Sequence, residues 1–222
     1  GKLSLDVTAV DTLSVWNAGV IAGGIKLSGD QGANADTFTT TAGTPFTIAI
    51  DQNAGGTHTF DANDASAGST LTINANENAG TIKTEDYEVV SIATNDVQAV
   101  TIAAMDVDAN DSTVAVVGAN DITITGAYAG AGDFTLSGKK LVLGATVTAD
   151  PTTNTNSGDV TMTASDDIAV TGKITAQNDI VLTATNDIAM ANSDAAQGSM
   201  TVTADSFTAT GLVDAQNDIT IT

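Results

Sequence analysis

Carboxylates dominate the groups in this 222-residue chain that could do chemistry, with 24 Asp and three Glu against six Lys and no Arg. The densest cluster reads "DVDAND" from position 106, and its spacing resembles the start of an EF-hand calcium loop. Asp106, Asp108 and Asn110 are therefore candidate calcium ligands. Asp111 stands where the EF-hand turn needs Gly, and Val117 where a bidentate Glu belongs, so a complete EF-hand is excluded.

A second candidate for calcium is "GANADTF" at 32–38, which approximates one Gly-x-Gly-x-Asp unit of the calcium-binding nonapeptide repeats. Asn34 takes a Gly position in that unit, and Asp36 supplies the carboxylate. Such sites form between consecutive copies of the unit, and the sequence holds one copy. Calcium is the one cofactor that the sequence suggests.

Catalytic constellations find little support. His58 is the single histidine, and its Thr neighbours suggest a strand position that faces outward. Asp166 and Asp167 offer the paired carboxylates of glycoside hydrolysis, but Asp167 recurs as Asp187 one repeat later, as expected of a corner residue. Solenoid polysaccharide lyases use an Arg, and the hydrolases of this fold place paired Asp near a Gly-His-Gly; this chain has no Arg and no Gly-His-Gly. We predict that the protein is not an enzyme.

Thr-x-Thr pairs recur at one place in successive repeats, at 161/163, 201/203 and 220/222, with Val181 interrupting before Thr183. Regularly spaced hydroxyl and methyl groups on a solenoid can order water, which is how ice-binding proteins use such ladders. Thr is also well suited to the exposed side of any strand. The pattern leaves both interpretations open.

The C-terminal third repeats at a nearly constant interval, with copies that begin at Gly158, Asn178, Gly198 and Asn217. Within each copy, apolar residues alternate with Thr, Asp and Ser, which is typical of a strand with one buried face. A coil of about 20 residues is long enough for three short strands around a filled interior. The sequence predicts an all-β fold, a parallel β-solenoid with coils of about 19–20 residues and a less regular N-terminal half.

Two regions follow from this reading. Residues 1–118 form an irregular β-rich region, interpreted as solenoid coils with loops, and residues 119–222 form the regular β-solenoid. A β-sandwich over residues 1 to about 90 is the competing interpretation of the N-terminal part.

The ends of the predicted solenoid carry strand-like apolar residues without a capping helix. An uncovered ring of strands invites pairing with another chain. We therefore expect Leu3, Leu5, Ile219 and Ile221 to mediate head-to-tail self-assembly, or to pack against the rest of a longer chain.

Charge and hydropathy restrict the partners. The net charge of −21 argues against nucleic acid and anionic membranes, which need clustered Lys or Arg. No apolar run approaches the roughly 20 residues of a membrane-spanning helix. Glycan remains a candidate ligand.

Phrases such as "GDVTMTASDDIAVTGKITAQNDIVLTA" resemble the coils of filamentous-haemagglutinin-like secreted adhesins, over about residues 120–222. The N-terminal "DTFTTTAGTPFTIAI" looks more like segments of bacterial S-layer and giant adhesin proteins. The resemblance implies a secreted or cell-surface protein with a structural or adhesive role. We expect a filament, surface layer or adhesin stalk built by stacked coils; the alternative is a ligand-binding module for glycan, calcium or ice within a large adhesin.

Overall fold

The protein is seen in a computed structural model, which describes residues 3–6, 12–16, 25–28, 35–40, 43, 45–50, 56–62, 69–75, 79–94, 99–107, 113–149 and 158–222. These residues form strands joined by turns and loops. Every strand pairing among them is parallel. The predicted all-β parallel solenoid is confirmed, and its strands extend through the region for which a β-sandwich was the alternative.

One long sheet, sheet A, contains eleven strands that follow one another along the rod. At about 4.8 Å between neighbours, they give a rod roughly 50 Å long. In order, they are β1 (Leu3–Asp6), β3 (Ile25–Ser28), β5 (Phe46–Ile50), β7 (Thr70–Ala75), β9 (Val89–Thr94), β12 (Thr113–Gly118), β15 (Phe134–Gly138), β18 (Val160–Ala164), β20 (Ile180–Ala184), β22 (Met200–Thr203) and β25 (Ile219–Ile221).

The second sheet, sheet B, has two halves that lie side by side in the later coils. One half contains β2 (Thr12–Trp16), β4 (Ala35–Thr39), β6 (Thr57–Asp61), β8 (Thr81–Glu85), β11 (Ala104–Val107), β14 (Tyr128–Gly130), β17 (Val147–Ala149) and β24 (Val213–Ala215). The other half contains β10 (Val100–Ile102), β13 (Ile122–Ile124), β16 (Leu141–Leu143) and β23 (Ser206–Ala209). The long strands β19 (Ile168–Ala176) and β21 (Asp187–Ala195) belong to both halves.

The cross-section of the rod therefore changes along its length. The described coils before β10 contribute one strand to each sheet, whereas later coils add the second half of sheet B and become three-sided. The corner between the two halves needs small residues: a Cβ at Gly172 would meet the backbone of Ala145 in the coil below. The predicted ring of three strands is confirmed for the coils from β10 onward.

Coil length is nearly constant only at the C-terminal end. Val160 pairs with Ile180, Ile180 with Met200 and Met200 with Ile219, which confirms the repeat predicted from the sequence. Upstream, Leu3 pairs with Ile25 and Ile25 with Ile48, so the coils there are longer. The strands keep their pairing while the connections between them take up the additional residues.

The core is a set of inward-facing columns in which like residues stack from coil to coil. Strands β7, β18 and β20 of sheet A alternate buried and more exposed positions, as the period-2 pattern predicted. Full burial of each large aliphatic side chain contributes about 1.5–3 kcal/mol. The longest column consists of Ile25, Ile48, Ile73, Ile92, Val116, Leu136, Met162, Leu182 and Val202, none of them accessible to solvent.

A column of aspartates holds one corner of the C-terminal coils together. The Oδ1 atom of Asp133 accepts the backbone N–H groups of Gly158 and Asp159, at 2.9 and 3.0 Å. Asp159 accepts the N–H of Asp179 at 2.9 Å, and Asp179 accepts that of Ser199 at 2.7 Å. Each carboxylate thus links its own coil to the next one, through the charge-assisted type of hydrogen bond.

We expect Asp179→Ala to lower the free energy of unfolding by about 1–2 kcal/mol, because the Ser199 N–H loses its charged acceptor. Asp179→Asn keeps an acceptor oxygen and removes the repulsion from Asp159, so its stability should stay close to that of the parent. Urea denaturation measures both, with Asp205→Ala as the control at an exposed corner. Equal losses for Asp179→Ala and Asp205→Ala would contradict a stabilising role for the column.

Candidate functional site

The outer surface of sheet A in the last five coils is the most regular exposed feature among the described residues. In each coil, two outward positions lie two residues apart, and each lies beside its equivalent in the next coil. The resulting two columns define what we call the threonine face. Its members are Thr135, Ser137, Thr161, Thr163, Val181, Thr183, Thr201, Thr203, Thr220 and Thr222.

Strand geometry sets the spacing of this face. Neighbouring rungs lie about 4.8 Å apart along the rod, and the two positions on one strand lie about 6.7 Å apart. At the last rung, the Oγ1 atoms of Thr203 and Thr222 are 3.2 Å apart, so hydroxyls of successive coils are within hydrogen-bonding distance. The face is a two-dimensional array of hydroxyl and methyl groups on a paired backbone.

No charged residue stands on the threonine face, although the chain carries a net charge of −21. The carboxylates lie at its borders: Asp133, Asp159 and Asp179 immediately precede their strands, and Asp166 follows β18. Across that second border, Asn186 donates a hydrogen bond to Asp166. The ion pairs of Lys140 with Asp167 and of Lys173 with Asp194 involve residues of sheet B and its corner.

The predicted calcium ligands are not brought together in the described part of the chain. Asp106 lies in β11, where its backbone pairs with Ala129. Asp108, Asn110 and Asn34 lie outside the described residues. No group of three or more His, Cys, Asp or Glu side chains among the described residues is placed to hold a metal ion. Calcium binding stays a prediction.

The prediction that His58 faces outward is wrong. His58 lies on β6 with no exposed surface, and its Nδ1 atom is 3.2 Å from Oδ2 of Asp36, which is equally buried on β4. The two residues are partners in the strand register. Adjacent residues of a strand point to opposite sides, so His58 points inward if Thr57 and Thr59 point outward. Phe60, two residues after His58 and therefore on the same side, is buried as well. Asp36, predicted as a calcium ligand, is placed inside the rod beside this histidine.

The residues predicted for self-assembly lie on the outermost strands of sheet A. Leu5 on β1 is half-buried and packs against the core; of Leu3 only the backbone is described. Ile219 and Ile221 on β25 are 45 % and 53 % exposed. Their equivalents one coil earlier, Met200 and Val202, are fully buried. Ile219 and Ile221 therefore continue core columns of the rod on its outermost described strand.

Two tyrosines inside the rod have altered acidities. Burial raises the pKa of Tyr87 to about 12, partly opposed by a hydrogen bond to Thr40 at 2.8 Å and reinforced by the charge of Asp61. Burial raises the pKa of Tyr128 further, with a contribution from the charge of Asp133. The Tyr128 hydroxyl makes no hydrogen bond to any described residue. Both groups favour the protonated form in the folded chain.

We expect His58→Leu to destabilise the protein by about 3 kcal/mol, because Asp36 is left buried without its imidazole partner. The double variant Asp36→Leu/His58→Leu should recover much of that loss, since the next residue in the column is the apolar Ile82. Urea denaturation of the two single variants and the double variant gives the coupling energy. Additive losses would show that the pair is not coupled.

We expect stability to fall as pH rises above about 10, because the unfolded tyrosines then ionise while the folded ones hold their protons. Tyr128→Phe should leave the urea midpoint near that of the parent at pH 8 and weaken its decline between pH 10 and 12. The parent protein controls for lysine deprotonation, which is common to both chains. Parallel pH profiles for the two proteins would contradict this assignment.

Within the described residues, the chain forms no helix with the length and apolarity needed to cross a membrane. Comparisons with protein families, curated proteins and solved structures find no match to this chain.

Proposed function

We propose that this chain is a structural protein of the cell surface or extracellular space, whose coils stack end to end in a filament, a surface layer or an adhesin stalk. The observation that carries the proposal is the outer strand β25. Its Ile219 and Ile221 continue core columns of the rod but are about half exposed. A further β-solenoid coil is the element that would bury them in the way every earlier coil is buried.

The proposed partner for this edge is a second copy of the chain or the rest of a longer chain. In a second copy, the β1 strand carries Leu5 and forms the opposite end of sheet A. Head-to-tail contact between different ends is heterologous, and it produces a filament when it does not close into a ring. The carboxylates on the sides of the rod would oppose lateral aggregation while leaving axial pairing possible. The resemblance to secreted adhesins supports an extracellular location.

The proposal is tested by negative-stain electron microscopy of the purified chain, with calcium and then with a chelator. We expect chains of rods longer than the roughly 50 Å of one copy. Ile221→Asp should abolish them, because it places a carboxylate in the axial contact. Val117→Asp is the matched control, since Val117 is 49 % exposed on the side of the rod and Ile221 is 53 % exposed at its end.

Filaments that persist in Ile221→Asp would overturn the assignment of β25 as the contact. Dispersed single rods of the parent protein would overturn self-stacking, and would indicate that further coils of a longer chain cover this edge. Loss of filaments on chelation would place calcium at the contacts between copies.

A further inference from the structure

We propose that the threonine face binds the surface of ice. Nine of its ten positions carry a hydroxyl group, and the stacking of coils holds them in two columns across five successive coils. The tenth position is Val181, which has the shape of Thr with a methyl group in place of the hydroxyl. This proposal concerns the side of the rod and is independent of the proposed stacking at its ends.

Rigidity is the first argument. Ice presents water oxygens at fixed two-dimensional spacings, so a binding surface must hold its groups at fixed spacings as well. Here the backbone pairing sets both repeats of the array, and the branched Thr and Val side chains have restricted χ1 angles. A fully buried column of Met162, Leu182 and Val202 supports the face from beneath. Little conformational entropy remains to be lost on binding.

The absence of charge is the second argument. A face for anions would need Lys, and a face for cations would need carboxylates, but both kinds of residue stand beside the threonine face or on sheet B. Aromatic rings, the usual platform for sugar stacking, lie in the core or pack against it wherever the structure describes their side chains. Neutral methyl and hydroxyl groups in a lattice suit a partner that is itself a lattice of water.

The array is confined to the C-terminal coils. Upstream on sheet A, the equivalent outward positions are occupied by Ala115 and Val117 on β12, and by Ser91 and Ala93 on β9. Those strands lack the paired hydroxyls at constant spacing. The coils from β15 to β25 are therefore the segment that we assign to ice.

The experiment measures thermal hysteresis and inhibition of ice recrystallisation by the full chain. Thr203→Tyr puts a bulky ring into the array and should remove most of both activities. Thr208→Tyr is the matched control: it makes the same substitution in the same coil, at a position that is likewise exposed but lies on sheet B. Val181→Thr completes the hydroxyl column and should increase the hysteresis.

Retained activity in Thr203→Tyr, or equal losses in both Tyr variants, would overturn the assignment of this face. Absence of hysteresis and of recrystallisation inhibition in the parent chain would overturn ice as the partner. Binding to crystalline polysaccharide without any effect on ice would likewise overturn it, in favour of a hydroxyl-rich glycan surface. Circular dichroism of each variant confirms that a loss of activity does not come from unfolding.

Discussion

Parallel pairing of each strand with its equivalent one coil away is the constraint on which the rest of this structure depends. It places each residue directly beside its counterpart in the next coil, so a residue type that recurs at one position of the repeat forms a column along the rod. Apolar positions become the core, Thr positions become the threonine face, and Asp positions become a ladder at the corner. Core, candidate binding surface and charge pattern thus have one geometric origin.

The same constraint creates conflicts that the sequence has to resolve. Stacked carboxylates about 4.8 Å apart repel each other by about 1 kcal/mol even in water. The ladder of Asp133, Asp159 and Asp179 offsets this repulsion because each Oδ1 accepts a backbone N–H from the next coil. Inside the rod, buried Asp36 is accommodated because stacking puts His58 directly beside it. In both cases the partner comes from the neighbouring coil rather than from the neighbouring residue.

The two proposed roles use different parts of the rod. The outermost described strands carry core-type residues such as Ile221, which suit packing against another coil. The side offers an uncharged array bordered by carboxylates, which suits a repeating neutral surface. A rigid rod with a binding face on one side is compatible with both, because axial stacking at the ends leaves that side uncovered.

Sequence alone determined the solenoid, its three-sided C-terminal coils and their apolar columns. The repeat in those coils is short and regular, so equivalent positions can be aligned directly in the sequence. Sequence could not determine the N-terminal coils with equal clarity: their connections vary in length, as the pairing of Leu3 with Ile25 and of Ile25 with Ile48 shows, and this hides a register that only strand pairing restores. The Thr-x-Thr pattern could be recognised in the sequence, but the extension of the face to Thr135 and Ser137 could not, because a longer stretch of sequence separates that rung from the next. The pairing of His58 with Asp36, which lies one coil away, was likewise decided by tertiary structure. Local alternation determines which side a residue faces, whereas the stacking of coils decides what it meets there.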